Sequence, residues 1–503
     1  MRRKLNRREF LKAAGAGAVT AGVMGAAGPR HLVADPPGRA EEAAPAPETR
    51  GGGPDKRRPN IVFVFPDQHR NCSWPGGGDP QVKAPNLEAL AREGAVFTHC
   101  ISNHPLCSPY RASLLTGRYQ QAHTVSGNVG ANGSGLPLTE VTLADVLKKA
   151  GYATGYVGKW HLYAGWESGK IVPPGPHRHG FDYWRVCYNY RNRYATRYYD
   201  DAGKEITIDG YAPKGQMDLV LEFVEKNAAK PFCVFLSWHP PHPPYKEAPK
   251  RFAELYPADQ IKLRPNVPKA DEVRRVRENQ VEYFAHISAM DEEVGRLMKK
   301  LAELHIADHT IVCYSSDHGD MLGSFDRWGK NVPWDEAINV PFIIRWPGVI
   351  PAGRRLDTLF STVDITPTLL GLAGEAVLPQ MQGADLSAIL KGKDAPGPES
   401  AFIMSGPGAT EGEEEEGGNG TEKGKGQDKR AAKKGGGKWR GLRTPRYTYA
   451  KAQEGNGLKP WLLYDNEKDP HQMDNLVEDP AHADTRKELD AKLHAWLKRV
   501  GEA

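Results

Sequence analysis

Short apolar runs alternate with longer stretches in which an apolar residue returns every third or fourth position. Residues 60–65 (NIVFVF), 153–158, 231–237 (PFCVFLS), 309–315 (HTIVCYS) and 340–346 (VPFIIRW) are brief and rich in Val, Ile, Phe and Tyr. Runs without an obligatory polar alternation predict strands covered on both faces. Residues 86–93, 141–150, 216–228 and 272–304 carry the helical period. Strand and helix in turn predict an α/β domain built on a large, mixed, mostly parallel sheet sandwiched by helices. Thr362–Leu370 reads as a further helix opened by an Asp cap, so Asp364 is structural. Beyond residue 438 the pattern changes. Residues 439–450 and 461–464 read as short antiparallel strands and 484–500 as a closing helix, together a small C-terminal subdomain with an antiparallel sheet and a helix.

Two segments interrupt this pattern. Residues 30–58 are rich in Pro, Ala, Gly and charge and read as a disordered linker. Residues 411–438 run from glutamates to lysines with interspersed glycine, a composition that cannot build a core, and predict a mobile surface insertion over about 406–438. The expected organisation is therefore 1–29 leader, 30–58 linker, 59–400 catalytic domain and 401–503 C-terminal subdomain.

Charge is informative at the N-terminus. Residues 1–12 hold six Lys or Arg and one Glu, which accounts for the net +5 of the 503-residue chain. The balanced remainder argues against a nucleic-acid partner. Arg7-Arg8-Glu9-Phe10-Leu11-Lys12 resembles a twin-arginine export motif, and the weakly apolar stretch to Pro29 is too mild for a membrane span. No Cys precedes position 72, so the leader offers no lipoprotein anchor. The expectation is a bacterial periplasmic or secreted protein, with the twin-arginine translocon as a partner and no stable membrane anchor.

Candidate chemistry clusters after the apolar runs. The run 60–65 ends in Pro66-Asp67-Gln68, and the run 309–315 leads into Asp317-His318-Gly319-Asp320. Carboxylates at the carboxyl ends of parallel strands lie where α/β folds bind ligands. Between them stands Cys107-Ser108-Pro109-Tyr110-Arg111, followed by Leu114-Leu115-Thr116-Gly117-Arg118. Ser108 as N-cap and Pro109 as first residue predict a helix over 109–116, with Cys107 at its positive end and Arg111 one turn in. Of six cysteines none forms a C-x-x-C pair, and Cys233 and Cys313 read as inert core residues.

The C-x-P-x-R run and the T-G-R that follows resemble the motif of type I sulfatases, members of the alkaline phosphatase superfamily. That resemblance spans about 59–480. It implies an alkaline-phosphatase-like fold and conversion of Cys107 to Cα-formylglycine by a formylglycine-generating or anaerobic sulfatase-maturing enzyme. The aldehyde hydrate would attack sulfur and later expel sulfate by collapsing to the aldehyde, a step no serine can perform. One divalent cation, most simply calcium with magnesium or manganese as alternatives, would be held by Asp67, Gln68, Cys107, Asp317 and His318. Many members carry Asp-Asp where this chain has Asp67-Gln68, and the Asp-Gln form resembles a branch with choline sulfatases and phosphonate monoester hydrolases. By the same resemblance Arg111, Lys159 and His161 (in G-K-W-H), His242 (in P-H-P-P-Y, preferred over His239) and Lys330 stabilise the sulfuryl group or protonate the leaving oxygen. Asp317 would polarise the nucleophile.

The implied activity is hydrolysis of sulfate esters, of sulfated carbohydrates and aryl sulfates. A phosphonate monoester or phosphodiester hydrolase of the same superfamily and an inactive glycan-binding homologue are the alternatives. Residues 188–199 mix tyrosines with arginines, among them Arg191 and Arg193. Two readings of them stand equally: a grip on a sulfated glycan, or a surface excursion.

Overall fold

The computed structural model describes residues 58–130, 134–164, 171–187, 193–268, 273–406 and 438–502. The leader, the linker up to residue 57, residues 407–437 of the charged insertion and residues 188–192 lie outside the described residues.

A ten-stranded mixed sheet organises the chain. Its order is Arg354–Leu356, Ala95–Phe97, Ile343–Arg345, Thr310–Tyr314, Asn60–Asp67, Phe232–Pro241, Ala153–Gly158, Tyr183–Cys187, Ala195–Tyr199 and Glu205–Asp209. The central strands run parallel: Asn60–Asp67 pairs with Thr310–Tyr314 on one side and Phe232–Pro241 on the other. Ala153–Gly158 continues the parallel register. The last two strands form an antiparallel edge hairpin.

Period-two alternation splits the apolar residues of the central strand between two cores. Ile61, Phe63 and Phe65 face a core shared with Cys107–Thr116, Leu143–Lys149 and Thr362–Ala373. Val62 and Val64 face the opposite core, shared with Pro85–Glu93, Ala212–Asn227 and Val273–Glu303. Such continuous burial explains why the central runs lack polar positions. Cys233 and Cys313 are fully buried strand residues, as expected.

A four-stranded antiparallel sheet, Ala401–Met404, Trp439–Arg443, Tyr447–Glu454 and Gly457–Asp465, forms the small subdomain with the helix Ala483–Val500. Glu502, just past that helix, pairs with Arg440 and Gln121 and ties the chain end to both parts.

Two local expectations are corrected. Residues 340–346 are not one strand. Asn339–Val340 belongs to a small three-stranded sheet, and only Ile343–Arg345 joins the large sheet, antiparallel. The helix of the cysteine motif starts at Cys107, with Leu106 as N-cap. Ser108 is inside it, and its hydroxyl is spent elsewhere, donating to the His161 carbonyl at 2.7 Å and accepting from Val129 N–H at 3.0 Å. The second N–H of the helix, that of Ser108, has no partner within the helix and is satisfied instead by the Asn128 side chain, at 3.2 Å.

Candidate active site

The site forms where the central strands end. Asp67 closes the strand Asn60–Asp67, and the register against its neighbour shifts between Pro66 and Asp67. That irregularity turns Gln68 into a left-handed backbone, φ 73°. A non-glycine residue pays strain there. It is held by Gln68 N–H donating to Asp317 Oδ1 at 3.0 Å and by Tyr283 hydroxyl donating to the Gln68 carbonyl at 2.6 Å. Asp317 and His318 arrive from the loop after Thr310–Tyr314. Gly158, at φ 102°, ends its strand against Ser237: a Cβ there would lie 2.0 Å from the Ser237 carbonyl oxygen. Only glycine allows the close approach that presents Lys159.

Asp67, Cys107, Asp317 and His318 converge, all buried, with one donor atom each inside a 4.8 Å cluster. Cys107 Sγ lies 3.7 Å from Asp67 Oδ1 and 3.3 Å from His318 Nε2. His318 Nε2 stands 3.6 Å from a carboxylate oxygen of each Asp. Its Nδ1 faces the Gly319 carbonyl at 3.0 Å. A carbonyl only accepts, so Nδ1 carries the hydrogen and Nε2 is the atom turned to the cluster, the arrangement metal-binding imidazoles adopt. Burial disfavours a charged ring, yet Asp317 and Cys107 outweigh it and raise the His318 pKa. The cluster thus draws positive charge to its centre. Two carboxylates, an imidazole nitrogen and a sulfur at this spacing fit a divalent cation.

Cations surround the cluster. Arg111 Nη2 donates to Asp317 Oδ2 at 2.9 Å and Asp67 Oδ2 at 3.3 Å. Its Nη1 is fixed by Ser237 Oγ at 2.6 Å and the Lys159 carbonyl at 2.8 Å. Lys159 Nζ lies 2.6 Å from Asp67 Oδ2 and 3.7 Å from Cys107 Sγ. Burial alone would raise the Asp67 pKa, but Lys159, His242, His318 and Lys330 hold it well below the usual carboxylate range. Lys330 Nζ reaches Gln68 Oε1 at 2.9 Å and His242 Nε2 at 2.8 Å. His242 Nδ1 donates to the Pro243 carbonyl at 2.7 Å, which leaves Nε2 as acceptor for the lysine. Burial, then Lys330, push its pKa well down. His161 is buried, and after burial itself the charges of Lys159 and Arg111 lower its pKa most.

All the residues expected from the sequence are therefore gathered at one end of the sheet. His239 lies beside His242, ring centroids 4.5 Å apart, but is engaged by Arg193, while His242 reaches Lys330. Arg193 corrects the sequence reading. It is fully buried, not on the surface. Its guanidinium contacts His239 Nδ1 and donates to the carbonyls of His242 at 2.5 Å and Pro244 at 3.3 Å. The sequence singled out Arg193 but not its burial or partners, and gave no sign of Ser237 or Asn128, because nothing local marks a residue whose partners lie tens of positions away.

A family model described as Sulfatase matches residues 59–375. An ulvan-active sulfatase of Formosa agariphila is 35% identical over 455 residues, which cover 88% of this chain and 82% of its own. An endo-4-O-sulfatase of Bacteroides thetaiotaomicron is 31% identical over 498 residues, covering 88% and 92%. A Bacteroides thetaiotaomicron structure from work on the metabolism of multiple glycosaminoglycans superposes with a TM-score of 0.75 at 29% identity, covering 89% of this chain and 97% of that one.

Proposed function

This chain belongs to the sulfatase family and hydrolyses sulfate esters, and from that premise we propose that it acts on sulfated carbohydrates with Cys107 oxidised to formylglycine. The observation that carries the reading is the burial of Cys107 at a helix N-terminus, within reach of Asp67, His318 and Lys159 together. A sulfate monoester is anionic, so its transfer needs a strong nucleophile and dense positive charge. The aldehyde hydrate would supply the nucleophile, and a divalent cation, most simply calcium, would polarise it and the sulfuryl oxygens.

The protein's own groups do the rest. Asp67, Asp317, His318 and Gln68 would hold the cation. Asp317 takes the proton from the nucleophile. Lys159 and Arg111 face the sulfuryl oxygens, and the partial positive end of the helix Cys107–Thr116 adds to them. Lys330 is the proton donor for the departing sugar oxygen, and His242 Nε2, accepting from its ammonium, holds it in place; His161 feels the charge of the same lysine. The ulvan-active and endo-4-O relatives support a sulfated glycan as substrate. The twin-arginine-like leader supports export to the periplasm or beyond after maturation in the cytoplasm. No described helix is long and apolar enough to cross a membrane.

Mass spectrometry of the peptide containing position 107, from active protein, tests this. The expected peptide has lost SH2 and gained O relative to cysteine. Cys107→Ser lowers turnover of an aryl sulfate by roughly 10³-fold or more. An intact thiol in fully active enzyme, or a faster phosphodiester than sulfate reaction, defeats the proposal.

A further inference from the structure

Asp320 follows the Asp317–His318 pair by two positions but stands outside the donor cluster. Its carboxylate is completely buried. Oδ1 accepts the backbone N–H groups of Leu322 at 2.9 Å and Gly329 at 3.0 Å. Oδ2 accepts the Tyr245 hydroxyl at 2.5 Å and the side-chain Nε2 of Gln68 at 2.7 Å. At the other end of the same carboxamide, Gln68 Oε1 accepts Lys330 Nζ.

These two contacts determine which way the amide points. A carboxylate can only accept and an ammonium can only donate. The nitrogen of Gln68 must therefore face Asp320, and its oxygen must face the side of the site where Lys330 lies. The backbone of Gln68 is already held at both its N–H and its carbonyl. The remaining freedom that matters is a half-turn of the amide, and Asp320 decides it.

We propose that Asp320 is a positioning residue that keeps the oxygen of Gln68 turned toward the cation site. A carboxylate can offer an oxygen in either orientation, whereas a carboxamide offers one in only one of two. The inverted amide would aim an NH2 group at both the cation and Lys330, with no lone pair for either. Asp320 thus lets a neutral side chain serve beside Asp67. This rests on the reading of Gln68 as a cation ligand.

The test is an isosteric exchange read by calcium titration calorimetry on the mature enzyme. In Asp320→Asn the new amide donates where a carboxylate accepted, so Gln68 turns over and calcium affinity falls by about ten- to a hundredfold. In Gln68→Glu combined with Asp320→Asn, the carboxylate now at 68 accepts from the amide at 320 and still offers an oxygen to the cation. Affinity returns to within about threefold of the wild type by the same reasoning. A single variant too unstable to purify, beside a double variant that folds and binds, supports the pairing equally. Undiminished affinity in Asp320→Asn overturns the proposal while leaving calcium binding intact, as does a folded double variant that stays weak. A wild-type enzyme that takes up no divalent cation overturns the proposal together with the reading beneath it.

Discussion

Arg193 puts a guanidinium in a fully buried place beneath the turn that carries His239 and His242. Its planar fork matches carbonyl acceptors on that turn, which an ammonium cannot do. If His242 takes part in turnover as proposed, Arg193 acts through it rather than on the substrate. Arg193→Lys is expected to lower kcat by about 10–100-fold, since small displacements of a catalytic group are costly. KM for a small aryl sulfate should stay near that of the wild type. Steady-state kinetics with an aryl sulfate and a polyanionic glycan distinguish this from a substrate contact, which would raise KM for the glycan selectively. Asp67, Cys107, Arg111, Lys159 and Asp317 were legible as candidates only in combination, because each stands in a short motif and the motifs support one another. The burial of Arg193 was not, because its neighbours in sequence are tyrosines and arginines that read alike on a surface or in a core.

Helices were legible as elements, but their ends were decided by distant partners. The helix Cys107–Thr116 begins one residue before its serine because Asn128 satisfies its second N–H. The helix Thr362–Ala373 behaves more locally. Ser361 is its N-cap, and Asp364 completes a reciprocal capping box, so the structural reading of Asp364 holds while the cap itself is Ser361. Burial pushes the Asp364 pKa up to about 6, against hydrogen bonds from Ala384 and Ser361. The folded chain then binds this proton more tightly than the unfolded chain, whose Asp titrates near about 4. Stability from this group is present below pH ~4 and is lost as pH rises to ~6, on the order of 3 kcal/mol. Asp364→Asn should therefore lose more stability relative to the wild type at pH 4.5 than at pH 7. Urea unfolding at both values measures it, and a pH-independent difference would contradict the buried-acid account.

At the scale of the whole molecule, the ends of four sheet strands and one helix converge on a cluster with two buried carboxylates and three flanking cations. A cation held by this cluster would bind only to the folded chain, because its ligands come from distant segments. Removing it with a chelator should abolish turnover and lower the melting temperature, and added calcium should restore both. With free cation at a hundred times Kd, the stabilisation is about 2.7 kcal/mol. A melting curve unmoved by chelator and by calcium would count against a structural share for the cation.

The succession of strands and helices, the cysteine motif and the two acidic strand ends follow from the chain alone. They depend on side-chain period and on contacts between residues close in sequence. Tertiary structure alone decided that Gln68 meets Asp320, that Lys330 reaches His242, that Arg193 is buried and that residues 340–346 serve two sheets. Those outcomes depend on which strand ends become neighbours and which polar groups, once deprived of water, must find one another. No local pattern encodes a partner 252 positions away.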